Sequence, residues 1–298
     1  MVFRADLGWI AGGSPLIVLS PHLDDAVISV GGLIARAAAE GIKVSVRTIF
    51  TSDPGPLSQV PRRFRRLLIN AGRRDEDRAA VTSLGAEPVW LGFHERATLE
   101  PPLPHFLGVF SLPRPPELSQ FRNLAALKTE IVRLVSMPER PIIAAPLAVG
   151  GHIDHVEVFL ASMLAMRETG SCERFVFYED AYTMSARARR RHFLASQERW
   201  PVRKSPALAG LVGAGMLTVM GWAERGPKVH EYLPEAIAQT AWQRMLVPLE
   251  DFESAKLRAM GLYVSQMKKL GGYRAFSAIV RRWHQVRQGA ECLWMPSM

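Results

Sequence analysis

Apolar and polar positions alternate in two rhythms along the first 180 residues. Pro15–Ser20 (PLIVLS) is a short apolar run rich in branched residues, the pattern of a strand buried on both faces. Ala26–Glu40 follows with helix formers and stops at Gly41, a residue suited to a helix C-terminus. Ile42–Phe50 alternates as a second strand, and Thr51–Val60 is a loop of Ser, Pro, Gly and Asp. Arg62–Leu84 reads as a long charged helix closed by Gly85, with a strand at Pro88–Gly92. After a proline-rich connection, Glu95–Leu118, come a helix at Asn123–Val135, a strand at Pro141–Pro146, a helix at Asp154–Arg167 and a strand at Glu173–Tyr178.

Strands separated by helices of this length imply an α/β fold: a mostly parallel sheet with helices on both faces. Beyond Glu179 the pattern predicts a helical C-terminal elaboration, with helices at Met184–Arg199, Pro234–Met245, Asp251–Lys269 and Ala275–Gln288. With no internal repeat and no interdomain linker, residues 1–298 read as one domain, its core at about 15–180 and its elaboration at about 181–298.

Composition narrows the chemistry. Apolar residues make up 48% of the 298 positions and charged residues 22%, which excludes a disordered or collagenous chain. Two cysteines, Cys172 and Cys292, cannot build a disulfide scaffold or a cysteine-rich zinc module, so any metal must be held by His and carboxylates. The net charge of +9 is compatible with nucleic acid, a membrane surface, an anionic substrate or plain solvation, and does not choose among them. The first twenty residues lack the pattern of a secretory signal, and a cytoplasmic protein is expected. The uncharged segment 207–223 falls short of a bilayer span, so a buried helix or hairpin is favoured there over a membrane-touching or substrate-covering element. The basic run Arg187–Arg191 is expected to be a solvated helix face, with contact to an anionic substrate as the second reading.

Two motifs concentrate reactive groups at the carboxyl ends of strands, where α/β sheets present their ligand sites. Ser20-Pro-His-Leu-Asp-Asp25 follows the first strand, and Gly150-Gly-His-Ile-Asp-His155 follows a later one. Either alone could be a helix cap, with Asp24, Asp25, His152 or Asp154 bonded to the N–H groups of the helix that follows. Together they supply three imidazoles and three carboxylates. Two His and one carboxylate meet the need of a catalytic zinc for three protein ligands and an open position, leaving another carboxylate as base.

These residues resemble the signatures of the PIG-L or LmbE-like zinc-dependent de-N-acetylases: PHLDD at Pro21–Asp25 is similar to PHPDD, and GGHIDH at Gly150–His155 to GGHPDH. Arg73-Arg-Asp-Glu76 with Leu84-Gly85, Trp90-Leu-Gly-Phe93, Phe177-Tyr-Glu-Asp180 and Tyr263-Val-Ser-Gln266 extend the likeness. The resemblance implies a Rossmann-like sheet, a bound Zn2+ and hydrolysis of an acetamide on an amino sugar. It implies His22, Asp25 and His155 as metal ligands, Asp24 as general base, His152 as the oxyanion-stabilising group and Asp154 as the carboxylate orienting a ligand histidine. Leu23 and Ile153 replace the family's usual prolines, where a small backbone adjustment is expected. Glu95 stands where the family more often has an Asp that bonds substrate hydroxyls, and Arg73 is either a substrate-side residue or the partner of Glu76 on one helix face.

The expected function is removal of an N-acetyl group from an N-acetylglucosaminyl conjugate that could carry negative charge. Amidase action on another N-acyl group, and a non-catalytic sugar- or nucleic-acid-binding protein, are the alternatives. No nucleic-acid partner is expected, a homo-oligomer is left open, and His/Asp sites also accept Fe2+ and other divalent ions.

Overall fold

A computed structural model describes residues 2–4, 6–10, 12–52, 71–96, 117–181, 186–197 and 228–297. Among the described residues eight strands form one sheet: β1 (Val2–Arg4), β2 (Leu16–Ser20), β3 (Val44–Phe50), β4 (Glu87–Phe93), β5 (Ile142–Pro146), β6 (Phe175–Tyr178), β7 (Ala241–Pro248) and β8 (Ala290–Ser297). Their order is β1-β7-β8-β6-β5-β2-β3-β4, and among the described residues only β8 pairs antiparallel to its neighbours. The expected mostly parallel α/β sheet is therefore present. From β2 the chain steps to β3 and β4 on one side and later to β5 and β6 on the other. The boundary between β2 and β5 is thus a topological switch point, the place where such sheets open a crevice.

Period-2 alternation sorts the side chains of β2 between two apolar layers. Leu16 and Val18 join the layer under α1 (Asp25–Ala39), while Ile17 and Leu19 join the layer containing α3 (Leu124–Val135) and α4 (Ile153–Thr169). Helix α2 (Ala71–Ser83) lies within the expected charged helix, whose earlier part, like the loop at 53–60, most of the proline-rich connection and the apolar segment 207–223, lies outside the described residues. No helix of the described residues is long and apolar enough to cross a membrane.

The C-terminal expectation needs correction. The stretch assigned to a helix at Pro234–Met245 is a single turn, α6 (Glu235–Ala238), followed by β7, and the last residues form β8. Together with β1 they extend the sheet by three strands, because long-range pairing overrides the helix-forming character of Ala, Gln, Arg, Met and Leu in β7. The helix expected at Asp251–Lys269 is two, α7 (Phe252–Gly261) and α8 (Val264–Lys269), and that at 275–288 is α9 (Tyr273–Val286). The helix expected at Met184–Arg199 is shorter among the described residues, and its basic run is more internal than expected. Helix α5 (Ala186–Arg191) buries Arg189, which donates to Glu179 at 2.6 Å, while Arg190 is exposed. Arg287 is bonded to the same carboxylate, so burial of this basic group is matched by charge.

Candidate functional site

Both motifs emerge at the switch point. After β2 the backbone turns through Asp24, a non-glycine residue with φ 119°, before entering α1. That conformation costs an L-residue on the order of 1–3 kcal/mol, and it is held here by the surrounding structure. The side chain of Asp24 makes no capping bond; Ser20 Oγ instead accepts the Ala26 N–H at 3.0 Å. The capping explanation therefore fails for Asp24. After β5 the chain turns at Gly150 (φ 106°) and Gly151 (φ 71°), values that glycine adopts without a Cβ penalty. His152 does cap α4, its Nδ1 accepting the Asp154 N–H at 3.3 Å, so here a cap and a site residue coincide.

The two turns bring His22, His152 and His155 so close that one ring nitrogen of each lies within 4.8 Å of the others. A tighter set shares two of those rings. His22 Nδ1 and His155 Nε2 each lie 3.1 Å from the same oxygen of Asp25. Donors on a tetrahedral zinc with bonds of about 2.0–2.1 Å are roughly 3.3 Å apart, close to this spacing. Each of the two imidazoles has its other nitrogen on a carboxylate: His22 Nε2 on Asp154 at 2.9 Å, and His155 Nδ1 on Asp180 at 2.6 Å. Such carboxylates fix the tautomer and aim the free nitrogen, here towards Asp25. Two imidazoles and one carboxylate can thus hold a divalent cation.

Burial makes the electrostatics strong. It opposes charge on His22, but Asp154 and Asp25 prevail and raise its pKa well above the usual value. On His155 burial is likewise outweighed, by Asp25 and Asp180, and the pKa rises to about 9. Asp25 is held well below the carboxylate range: burial works against its charge, but His155 and His22 overcome it. Asp24 moves the other way, pushed up to about 8 by burial and by the charge of Asp25, with Arg73 offsetting part. His152 falls to about 3 through burial, only partly countered by Asp154.

These groups open onto a cavity of ≈ 200 Å³ lined by His22, Asp24, Asp25, His152 and His155 on one side and by Arg73, Glu95, Gln266, Lys269 and Leu270 around the rest. Asp154, 1% exposed, stands behind the wall. Arg73 faces Glu95 across 3.9 Å, whereas Glu76 accepts from Ser265 N at 3.0 Å and Ser265 Oγ at 2.6 Å. The Arg73–Glu76 question thus divides: Arg73 faces the cavity and Glu76 anchors α8. Asp77 adds a second tie by accepting from Tyr263 at 2.7 Å. Sequence reasoning gave no role to Asp180 or to the α8 wall. An acidic residue just past β6, at the same sheet edge as both motifs, was the signal available for Asp180.

Comparison with known proteins gives a family and a fold. Residues 17–166 match the family model PIG-L, described as GlcNAc-PI de-N-acetylase. The chain is 31% identical over 168 residues to 2'-N-acetylparomamine deacetylase of Streptomyces fradiae; the match spans 55% of this chain and 56% of that relative, little more than half its length. Among solved structures, the A40926 pseudoaglycone deacetylase is similar with TM-score 0.62 at 21% identity, over 96% of this chain and 98% of that one. The zinc-inhibited form of teicoplanin deacetylase gives TM-score 0.63 at 20% identity, over 95% and 99%. A further structure of a deacetylase from teicoplanin biosynthesis gives TM-score 0.65 at 20% identity, over 95% and 99%. At these identities the structures speak for a shared fold.

Proposed function

From the premise that the chain belongs to the PIG-L family of GlcNAc-PI de-N-acetylases, we propose that it is a metal-dependent hydrolase removing the N-acetyl group of an amino sugar conjugate, with an N-acetylglucosaminyl unit as first candidate. The observation that carries this reading is the convergence of His22 Nδ1 and His155 Nε2 on Asp25, with Asp24 beside them on the cavity wall. His22, Asp25 and His155 would hold the cation, zinc by the chemistry of the donors, with Fe2+ as the nearest substitute. When bound, that cation supplies Lewis-acid polarisation of the acetamide carbonyl and lowers the pKa of water in the site.

The chain's own groups do the rest. Asp24 lies outside the donor set yet lines the cavity, so in its ionised form it is the base that takes a proton from the attacking water. Oxygen adds to the carbonyl carbon and negative charge gathers on the former carbonyl oxygen. Neutral His152, whose Nδ1 is engaged with the Asp154 N–H, carries its proton on Nε2 and donates from there to that oxygen. The C–N bond then breaks. The nitrogen cannot leave as an amide anion, and the proton gathered by Asp24 is available to it, so the products are acetate and a free amine. Arg73 and Glu95, facing each other on the wall, offer a donor and an acceptor to sugar hydroxyls. The similarity to 2'-N-acetylparomamine deacetylase supports an N-acetylated amino sugar substrate in this role.

The test is acetate and free-amine release from a panel of N-acetylhexosamine conjugates, with metal content measured on the same preparation. Release that a chelator abolishes and zinc restores is expected. Zinc should be titrated from below one equivalent upwards, since a zinc-inhibited form exists for the teicoplanin relative. Full metal occupancy with no release from any sugar would remove the amino-sugar reading in favour of another N-acyl substrate.

A further inference from the structure

Helix α1 is broken. Val30 leaves helical geometry (φ −131°, ψ 28°), dividing the helix into segments 25–29 and 31–39. A break strips bonds from the carbonyls that end the first segment and from the N–H groups that begin the second. One buried ion pair serves both ends. Lys256 Nζ, on α7, donates to Ser29 O at 3.1 Å, and the Glu291 carboxylate, on β8, accepts from Gly32 N at 3.1 Å and Leu33 N at 2.7 Å. Lys256 and Glu291 are 2.7 Å apart and both 0% exposed. The ammonium sits at the negative end of one segment and the carboxylate at the positive end of the next, the favourable sense for both. The third ammonium proton goes to His284 Nε2 at 3.1 Å. A Cβ on Gly31 would lie 3.0 Å from Lys256 Cγ, and one on Gly32 would lie 2.2 Å from Leu249, so the glycine pair is what admits these side chains.

The first segment is the one that carries the site. Asp25 begins it, after Asp24, and Ser29 ends it, Ser29 Oγ accepting the Ala181 N–H at 3.1 Å beside Asp180, the partner of His155. A segment of five residues is about 7.5 Å long, so a shift at the break reaches Asp25 with little attenuation. We propose that Lys256 and Glu291 are positioning residues of the metal site: spliced into the break of α1, their ion pair sets where Asp25 stands relative to His22 and His155, and thereby the affinity for the cation.

This inference rests on the metal-binding reading above, and the experiment separates the two. Zinc dissociation constants are measured by chelator competition on the wild-type chain, Glu291→Gln, the doubly neutral Lys256→Met/Glu291→Gln and Ile131→Ala, with melting temperatures on the same samples. Ile131 is a fully buried residue of the opposite apolar layer and controls for loss of stability alone. The expected result is about tenfold weaker zinc binding in both variants of the pair, with Ile131→Ala within about twofold of wild type. Wild-type affinity in folded Glu291→Gln and in the double variant, with only the melting temperature lowered, would reduce the pair to packing and overturn the proposal. A wild-type chain that takes up no zinc would overturn it together with the proposed function.

Discussion

Helix α1 has a buried cluster of ionisable side chains at its start and another at its break. The first gathers His22, Asp24, Asp25, His152, His155 and Asp180; the second gathers Lys256, Glu291 and His284, with half-buried Glu253 at its rim. Both remove charge from water, which is tolerable only where partners replace hydration. They differ in where the bonding capacity ends. In the second cluster each ammonium proton of Lys256 has an acceptor, His284 passes its Nδ1 to Glu253 at 2.7 Å, and the carboxylate of Glu291 is filled by backbone N–H groups and the ammonium. In the first, two imidazole nitrogens aim at one carboxylate oxygen and every member but Asp180 faces a cavity. A closed cluster holds a fold in place. An open one holds groups in place for something that arrives.

The largest effect should come from the open cluster. Asp24→Asn keeps the shape and the proposed metal ligands but cannot take a proton, so acetate release should fall by roughly 10³-fold with metal content unchanged. His155→Ala should instead lose the zinc itself. If Asp24→Asn retained wild-type turnover, the open cluster would not work through this base.

Next in size is the closed cluster. Lys256→Met leaves the Glu291 charge buried without its counter-ion, and unfolding free energy from urea melts should drop by about 3–5 kcal/mol. Removing both charges in Lys256→Met/Glu291→Gln should recover most of that loss. A single variant as stable as wild type would mean that the cluster is not closed in the sense argued above.

Asp180 tests the border between the two. It bonds His155 at 2.6 Å and Val149 N at 2.9 Å, and its neighbour Ala181 is tied to Ser29 near the break. Asp180→Asn can still accept one of these bonds but no longer compensates an imidazole charge. Zinc affinity should weaken about 10-fold to 100-fold, read by chelator competition. Unchanged affinity would confine the site to the residues that touch the cation.

The same contrast explains what was legible in the sequence. The open cluster is written in two hexapeptides, 20–25 and 150–155, each behind an apolar run, so strand, turn and chemistry could be read together. The closed cluster draws on residues 29–33, 253, 256, 284 and 291, none of which has a neighbour in sequence that reveals its partner. Without Lys256 in view, Glu291 and Pro296 argue against a central strand at 290–297. Likewise β7 carries Gln243 and Arg244 in its partly exposed first half and becomes a strand only through pairing with β1 and β8. Arg189 reads as solvated from the sequence because nothing local announces Glu179 as its buried partner.

The smallest effect is a pH dependence lodged in the closed cluster. The His284 pKa is pushed down to about 2 by burial and by the charges of Lys256 and Arg287. Around the ring stand Lys256 and Glu253 from α7, and Trp283 and Arg287 next to it on its own side of the molecule. The unfolded chain protonates a histidine near pH 6.5, whereas the folded chain refuses that proton until far lower. The folded state therefore binds fewer protons below about pH 6.5, and stability present at neutral pH is lost as pH falls. At pH 5.5 this one group should cost roughly 1 kcal/mol, a few degrees in melting temperature. His192, lowered to about 4 by burial, acts in the same sense and sets a background. His284→Gln retains an acceptor for Lys256 without taking up a proton, so its melting temperature should fall less between pH 7.5 and 5.5 than that of the wild type. Equal falls in the two proteins would place the acid sensitivity outside the closed cluster and leave its histidine as a passive acceptor.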